Sequence, residues 1–345
     1  MGLLGTHTVG AGKVRASHAG GYDAIDGIDL VAIADINQDK LSRFGKAWDI
    51  PEIDQYTDHI EMLETCDLDC VSIATPTYLH RDHTTDVCDH ADPGVIWCEK
   101  PIASSVTEAE EMTATCNEHD IDLVINHSFR FTEKIVRLRE HILNGLIGEV
   151  RSIHASFRME LMRNSTHLLD TLIYFLDAHP RLVNGYITGE NEAVDALEAT
   201  IDVDDAGGGG FLVTDDGAFV TIDCTLPRGI SSMHYSIIGT AGKLYLNNDD
   251  GEWRYWTLEE DGHHEMPIPD IDGAWTWDDD YTEGFPNAAQ HIVRLLDGDA
   301  VNRSPGEAAT RSLAIIVAFF LSDYTGGTVQ LPLERPFRDI RITSW

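Results

Sequence analysis

The sequence predicts an α/β architecture that passes into an α+β one, and three observations carry that expectation. A strand, a pair of glycines, a helix, a second strand and an acid follow one another near the start of the chain. Runs of β-formers and helical stretches then alternate over the first third, the pattern of a parallel, doubly wound sheet. After a helix over 135–144 the chain turns to many strand-like runs with few helices, which is segregated rather than alternating.

The first strand is expected over 3–9, followed by Gly10-Ala11-Gly12-Lys13-Val14-Arg15 and a helix through Ala16, His18 and Tyr22. This is the GxGxxG pattern of a dinucleotide site with its last glycine replaced by Arg15. Gly10 permits the tight turn, Gly12 lets the backbone approach a pyrophosphate, and Lys13 and Val14 lead into the helix N-terminus whose amides face it. Arg15 must point outward or push the helix away. A second strand over 31–35 ends in Asp35; from Arg15 this is 35 − 15 = 20 positions, the spacing of about 20 for an acid that accepts ribose hydroxyls. An acid there favours NAD over NADP and leaves NADP open. A second register, with 1–4 as the strand and Gly5, His7 and Gly10 in the glycine places, lacks the middle glycine and is set aside.

Helices follow around 41–48 and 59–64, then a third strand over 69–74 that ends at Thr75-Pro76. A helix over 78–90 and the turn Asp92-Pro93-Gly94 lead to Val95-Ile96-Trp97-Cys98, an apolar run that stops at Glu99, Lys100 and Pro101. A buried strand ending so abruptly delivers charged side chains to the sheet edge where open α/β sheets bind ligands. Ser105-Val106-Thr107-Glu108 is a capping box opening a helix through Glu118, and 121–125 is the next strand. Strands over 150–157, 199–203, 208–213, 218–225, 235–238 and 243–246 and helices over 284–296 and 305–321 complete the chain. The division expected is 1–126 for the first domain and 127–345 for the second.

With 59 Asp and Glu against 24 Lys and Arg, the formal net charge is −35. Such a field excludes nucleic acid and anionic membranes as partners. The 43% of apolar residues and seven Trp require a folded core, so the acid lies on a folded surface, as suits a halophilic cytoplasm where salt screens self-repulsion. The start of the chain lacks the basic flank of a signal peptide, and no apolar run reaches spanning length. Six cysteines without CxxC spacing argue against a zinc site or a disulfide framework, and His263-His264, in an acidic stretch read as a loop, has no partner at metal spacing, so no metal is expected.

Ala74-Thr75-Pro76 with His80, then Glu99-Lys100-Pro101, Ser128-Phe129-Arg130-Phe131 and Gly145-Leu146-Ile147-Gly148-Glu149-Val150 resemble the Gfo/Idh/MocA family of sugar and cyclitol oxidoreductases, and the resemblance runs to Thr325-Gly326-Gly327-Thr328-Val329. It implies a Rossmann domain, then a domain with a large open, mainly antiparallel sheet, and a homodimer or homotetramer. It implies that Thr75, Pro76, His80, Glu99 and Lys100 frame the cofactor, that Lys100 is the active-site lysine, and that the Lys100 to Pro101 bond is cis. His167, in Asn164-Ser165-Thr166-His167-Leu168-Leu169-Asp170, matches the family histidine, and Asn164, His167 and Asp170 fall on roughly one helix face.

The implied activity is hydride transfer between NAD(P) and a secondary alcohol of a sugar, sugar derivative or cyclitol, with Lys100 and His167 handling the proton and Asn164, Asp170 and Arg130 on the substrate side. Arg163 stands where many relatives have an aspartate. The family also includes NAD-dependent glycoside hydrolases, and a cofactor-binding protein without turnover is the third possibility. Trp275, Trp277 and 278–280 form either a substrate-side loop or acidic surface over a hydrophobic anchor, and the surface is favoured.

Overall fold

The computed structural model describes residues 1–4, 14–188, 202–227, 229, 233–249 and 251–343. The chain forms two compact units: 1–103, 108–132 and 278–309 make the first, and 104–107, 133–277 and 310–345 the second.

The first unit holds a six-stranded parallel sheet of β1 (Gly2–Leu4), β2 (Ala32–Ala34), β3 (Gln55–Tyr56), β4 (Cys70–Ile73), β5 (Val95–Cys98) and β6 (Asp122–Ile125), in the order β3-β2-β1-β4-β5-β6. β5 is buried at every position, as its unbroken Val-Ile-Trp-Cys run requires. The order reverses across β1, which opens a crevice at the carboxyl ends of β2 and β4. β1 is described over Gly2–Leu4, with Leu4 level with Ala34 and Ile73, and the rest of the strand expected over 3–9 lies outside the described residues. A Cβ on Gly2 would stand 2.7 Å from Leu68 Cδ1, so a larger residue there would have to displace the end of that side chain. Gly10, Gly12 and Lys13 lie outside the described residues.

α1 (His18–Asp23) is capped by Ser17, whose hydroxyl accepts from the Gly20 amide at 3.0 Å. Arg15 is exposed and points outward. Two later glycines provide the close packing instead: a Cβ on Gly20 would fall 2.4 Å from the Val14 and Arg15 carbonyl oxygens, and one on Gly21 2.7 Å from that of Phe285. α2 (Gln38–Trp48), α3 (His59–Thr65), α4 (His80–His90) and α5 (Val106–Glu118) follow in the alternating order of a doubly wound fold.

The piece 278–309 belongs to the first unit although it comes from the half of the sequence assigned to the second domain. The reason is apolar burial. It carries α9 (Phe285–Leu296), whose Ala288, Ala289, Ile292 and Leu295 share one core with Tyr22, Cys70, Val95, Trp97 and Phe131. Burying Ile292 and Leu295 contributes about 1.5–3 kcal/mol each.

The second unit is built on a nine-stranded sheet of β7 (Val150–Arg158), β8 (Pro180–Ile187), β10 (Gly208–Thr214), β11 (Phe219–Leu226), β12 (His234–Gly239), β13 (Gly242–Asn247), β14 (Glu252–Glu259), β15 (Gly262–Met266) and β16 (Val329–Gln330). Its order is β15-β14-β13-β12-β7-β11-β10-β8-β16, antiparallel throughout except for the parallel pair β7 and β11. β9 (Asp202–Asp204) pairs instead with β17 (Arg341–Thr343), and the rest of the strand expected over 199–203 lies outside the described residues. His263 and His264 sit on the exposed strand β15 rather than in a loop. α6 (Glu133–Leu143), α7 (Thr166–Leu176) and residues 310–325 of α10 (Gly306–Thr325) complete this unit. Among the described residues no helix is long and apolar enough to cross a membrane.

Candidate active site

In the first unit the crevice holds a cavity of about 220 Å³ whose walls include Asp35, Lys40, Thr75, Pro76, Tyr78 and His83. Asp35 accepts from the Asn37 amide at 2.8 Å, which fixes its carboxylate at the end of β2. The Thr75 hydroxyl lies 3.0 Å from His83 Nδ1. Burial, then the neighbouring His59, pushes the His83 imidazole down to about 4, so this wall is neutral at pH 7. Apolar walls, one fixed acid and the switch-point position fit the adenosine end of a dinucleotide.

His80 is buried, with Nε2 2.9 Å from the Thr75 carbonyl oxygen and Nδ1 3.0 and 3.1 Å from those of Pro101 and Ile102. Its two ring nitrogens thus face two backbones, the end of β4 and the turn after Lys100; burial favours the neutral ring, which donates to one of them. The peptide bond between Lys100 and Pro101 is cis.

Glu99 is the most heavily held carboxylate of this edge. Its Oε1 lies 3.1 Å from His18 Nε2 and accepts from Asn126 Nδ2 at 2.8 Å, while Oε2 accepts from the Lys100 amide at 3.2 Å. Burial alone would push it up, but His18, Lys100 and Asn126 outweigh burial and hold it at about 2. His18 is itself fixed, stacked on Trp97 with centroids 3.8 Å apart and with Nδ1 2.9 Å from the Ser72 hydroxyl. Arg130 is buried and donates to the Arg303 carbonyl at 3.0 Å, a structural tie of the one-turn helix Ser128–Phe131.

In the second unit, described by itself, one segment carries Asn164, His167 and Asp170. It opens at Glu160, a buried non-glycine residue with φ of 73°, and runs through a wide π turn, Leu161–Ser165, into α7. Asp205 holds its start: the two carboxylate oxygens accept from the amides of Met162 at 3.0 Å and Arg163 at 2.9 Å. Burial pushes the Asp205 carboxyl up to about 6. Asn164 Nδ2 donates to the Met159 carbonyl at 2.8 Å, so its amide group is partly committed to the turn. Because Asn164 belongs to the π turn, the regular helical face expected for the three residues begins only at Thr166; beyond it His167 is half-buried and Asp170 buried.

Four residues of this chemistry escaped the sequence reading. His18, eight positions beyond Gly10 on the glycine-loop helix, had a signal in its position; Asn126 and Asp205 had none beyond residue type. The fourth, Asp280, was read as surface and is buried, its exposure being 8%, because the turn Asp280–Gly284 leads directly into α9 and its core. Trp275 is fully buried, and Trp277 donates from Nε1 to Asp249 at 3.0 Å.

A Rossmann sheet with a fitting dinucleotide crevice, followed by a large mixed sheet, defines a two-part nicotinamide-dependent oxidoreductase. The chain belongs to the Gfo/Idh/MocA family: residues 5–127 match its NAD-binding Rossmann fold and residues 158–331 its C-terminal alpha/beta domain. The D-apiose dehydrogenase of Paraburkholderia graminis is 25% identical over 342 residues, covering 94% of this chain and 88% of that protein. The D-xylose 1-dehydrogenase [NADP(+)] of Haloarcula marismortui is 25% identical over 286 residues, covering 76% and 74%. The same fold is found in an oxidoreductase from Agrobacterium radiobacter solved with NAD+, L-tartaric acid and magnesium, at a TM-score of 0.75 and 20% identity, covering 95% of this chain and 97% of that one.

Proposed function

We propose that this oxidoreductase is a dehydrogenase that prefers NAD and acts on a secondary alcohol of a sugar, a sugar derivative or a cyclitol. The observation that carries the reading is the anchoring of Glu99, which leaves the adjacent Lys100 on a backbone held by Glu99 on one side and faced by His80 on the other. The printed names of the relatives, D-apiose and D-xylose dehydrogenases, support a sugar as the substrate class.

A bound nicotinamide supplies the hydride acceptor for oxidation of a carbinol. With the cofactor bound, Asp35 would accept from its ribose hydroxyls and Thr75 and Pro76 would wall the crevice, while Gly10, Gly12, Lys13 and Val14 remain the pyrophosphate contacts expected from the sequence. Either Lys100 or His167 is the base for the hydroxyl proton, which for a lysine requires an environment that disfavours its ammonium. Asn164 offers a hydrogen bond to a substrate hydroxyl, and Asp170 orients the helix face that carries His167. Asp35 supports NAD; Lys40 in the same cavity is the residue that would tolerate a 2′-phosphate. The acidic surface supports a cytoplasm rich in salt, and the broad sheet supports a homodimer or homotetramer.

The test is titration of the purified protein in molar salt with NADH and NADPH separately, followed by nicotinamide fluorescence, and then a polyol screen by absorbance. Tighter NADH binding and net cofactor reduction, lost in Lys100→Ala and His167→Ala, is the expected result. Cofactor turnover without net reduction would replace the reading by a glycoside hydrolase, and binding without any turnover by a binding protein. A monodisperse monomer in light scattering would remove the oligomer.

A further inference from the structure

The geometry points to Asp280 as a positioning residue of the Lys100 site, a carboxyl whose ionisation sets how firmly the Lys100 ammonium holds its proton. The inference rests on the reading of Lys100 as the active-site lysine, and it adds a charge that the sequence reading left on the surface.

Asp280 is more than nine-tenths buried, and its Oδ1 makes no hydrogen bond. Room for that carboxyl exists because residue 284 is glycine: a Cβ there would stand 2.7 Å from Asp280 Oδ1 and 3.1 Å from Ser128 Cβ. The Ser128 hydroxyl donates to the carboxylate. Ser128 begins two residues after Asn126, whose side chain is bonded to Glu99 at 2.8 Å, so a short path of contacts joins Asp280 to the end of β5.

The charges that act on Asp280 are Glu99, which disfavours its ionisation, and Lys100, which favours it. His18 lies behind Glu99 and not on Asp280. Burial is the largest influence and raises the Asp280 carboxyl to about 6. Glu99 therefore stays ionised through the range in which proteins work, while Asp280 titrates close to neutrality. Two carboxyls pushed apart in this way beside one lysine divide the labour: Glu99 is a fixed anchor and Asp280 an adjustable counter-ion.

Removing the Asp280 charge must leave more of the Lys100 amine unprotonated at a given pH. The experiment reads this directly, without cofactor, substrate or turnover: the folded protein is pulsed with trace acetic anhydride between pH 6 and 10, and acetylation of Lys100 is quantified by peptide mass spectrometry against the exposed Lys46. In Asp280→Asn the Lys100 rate at pH 8 should rise about threefold or more, since one pKa unit is tenfold. Ser128→Ala, which removes the hydroxyl that favours the ionised carboxyl, should raise the Lys100 rate in the same direction by less between pH 6 and 7, where the Asp280 carboxyl changes charge, and it decides the matter if Asp280→Asn does not fold. Lys100 curves that superimpose on wild type in folded variants would overturn the inference and leave the dehydrogenase reading untouched. Loss of net cofactor reduction with the labelling shift intact would remove the dehydrogenase reading and leave the inference standing.

Discussion

Glu99 and Lys100 in the first unit and Asn164 and His167 in the second reach their places by opposite routes. The first pair sits at the end of a buried strand, so the sheet itself aims the side chains, and their neighbours, His18 and Asn126, arrive from adjacent strands and helices of the same layer. The second pair follows a positive φ at Glu160 and a π turn, a path that regular structure does not impose. It is held from outside by Asp205, more than thirty positions along the chain. A site at a sheet edge draws its support from neighbouring strands and helices; the site on the irregular turn draws it from its own backbone turn and from the carboxylate of Asp205.

The sharpest test of the contrast is activity. Lys100→Ala should lower kcat/KM by about 10³-fold and His167→Ala by about 10²-fold, within the range for proton-transfer groups, with NADH affinity changing little. Loss of NADH binding in Lys100→Ala would instead give that lysine a cofactor-binding role. Next comes stability. Asp205→Ala should cost about 1–2 kcal/mol, as loss of a helix cap does, and His80→Ala about 1–3 kcal/mol, because a buried carbonyl loses its donor. Urea denaturation checks both, and the contrast fails if Asp205→Ala is neutral.

The pH dependence of stability separates the same two regions by sign. His83, lowered to about 4, is fully favourable above pH 6.5 and loses its contribution as pH falls from 6.5 through 4. Asp205, raised to about 6, behaves oppositely: its burial is least costly below the ordinary carboxylate pKa near 3.8, and the cost grows as pH rises through 6. Thermal melts at pH 5 and 7 should show His83→Gln losing less stability on acidification than wild type and Asp205→Asn losing more. The smallest effect belongs to Arg15→Gly. Since Arg15 is exposed and Gly20 makes the close approach, NADH affinity should move by no more than about twofold, whereas Gly20→Ala should destabilise by about 1–3 kcal/mol.

Much of this was legible before the fold was. The apolar run Val95-Ile96-Trp97-Cys98, the acid after the second strand and the change from alternating to segregated elements each depend on local patterning, and each stands in the structure where the pattern put it. What escaped reading depends on tertiary position. The described part of the first strand, Gly2–Leu4, takes its register from its pairing with Ala32–Ala34 and Cys70–Ile73, which its own hydrophobicity does not set. Asp280 reads as one of three consecutive surface acids, and only the packing of α9 buries it. His80 is recognisable by motif, yet its place against carbonyl oxygens comes from a turn twenty residues away.

The return of 278–309 to the first unit has a consequence for synthesis. When the last strand of the six-stranded sheet has left the ribosome, Trp97 and Tyr22 still lack Ala288, Ala289 and Ile292, which complete their core. At ordinary translation rates those residues emerge roughly 8 to 33 s later. The Rossmann half of this chain is therefore made first and finished late, and a nascent chain released before α9 would present an open apolar face to whatever chaperone attends it.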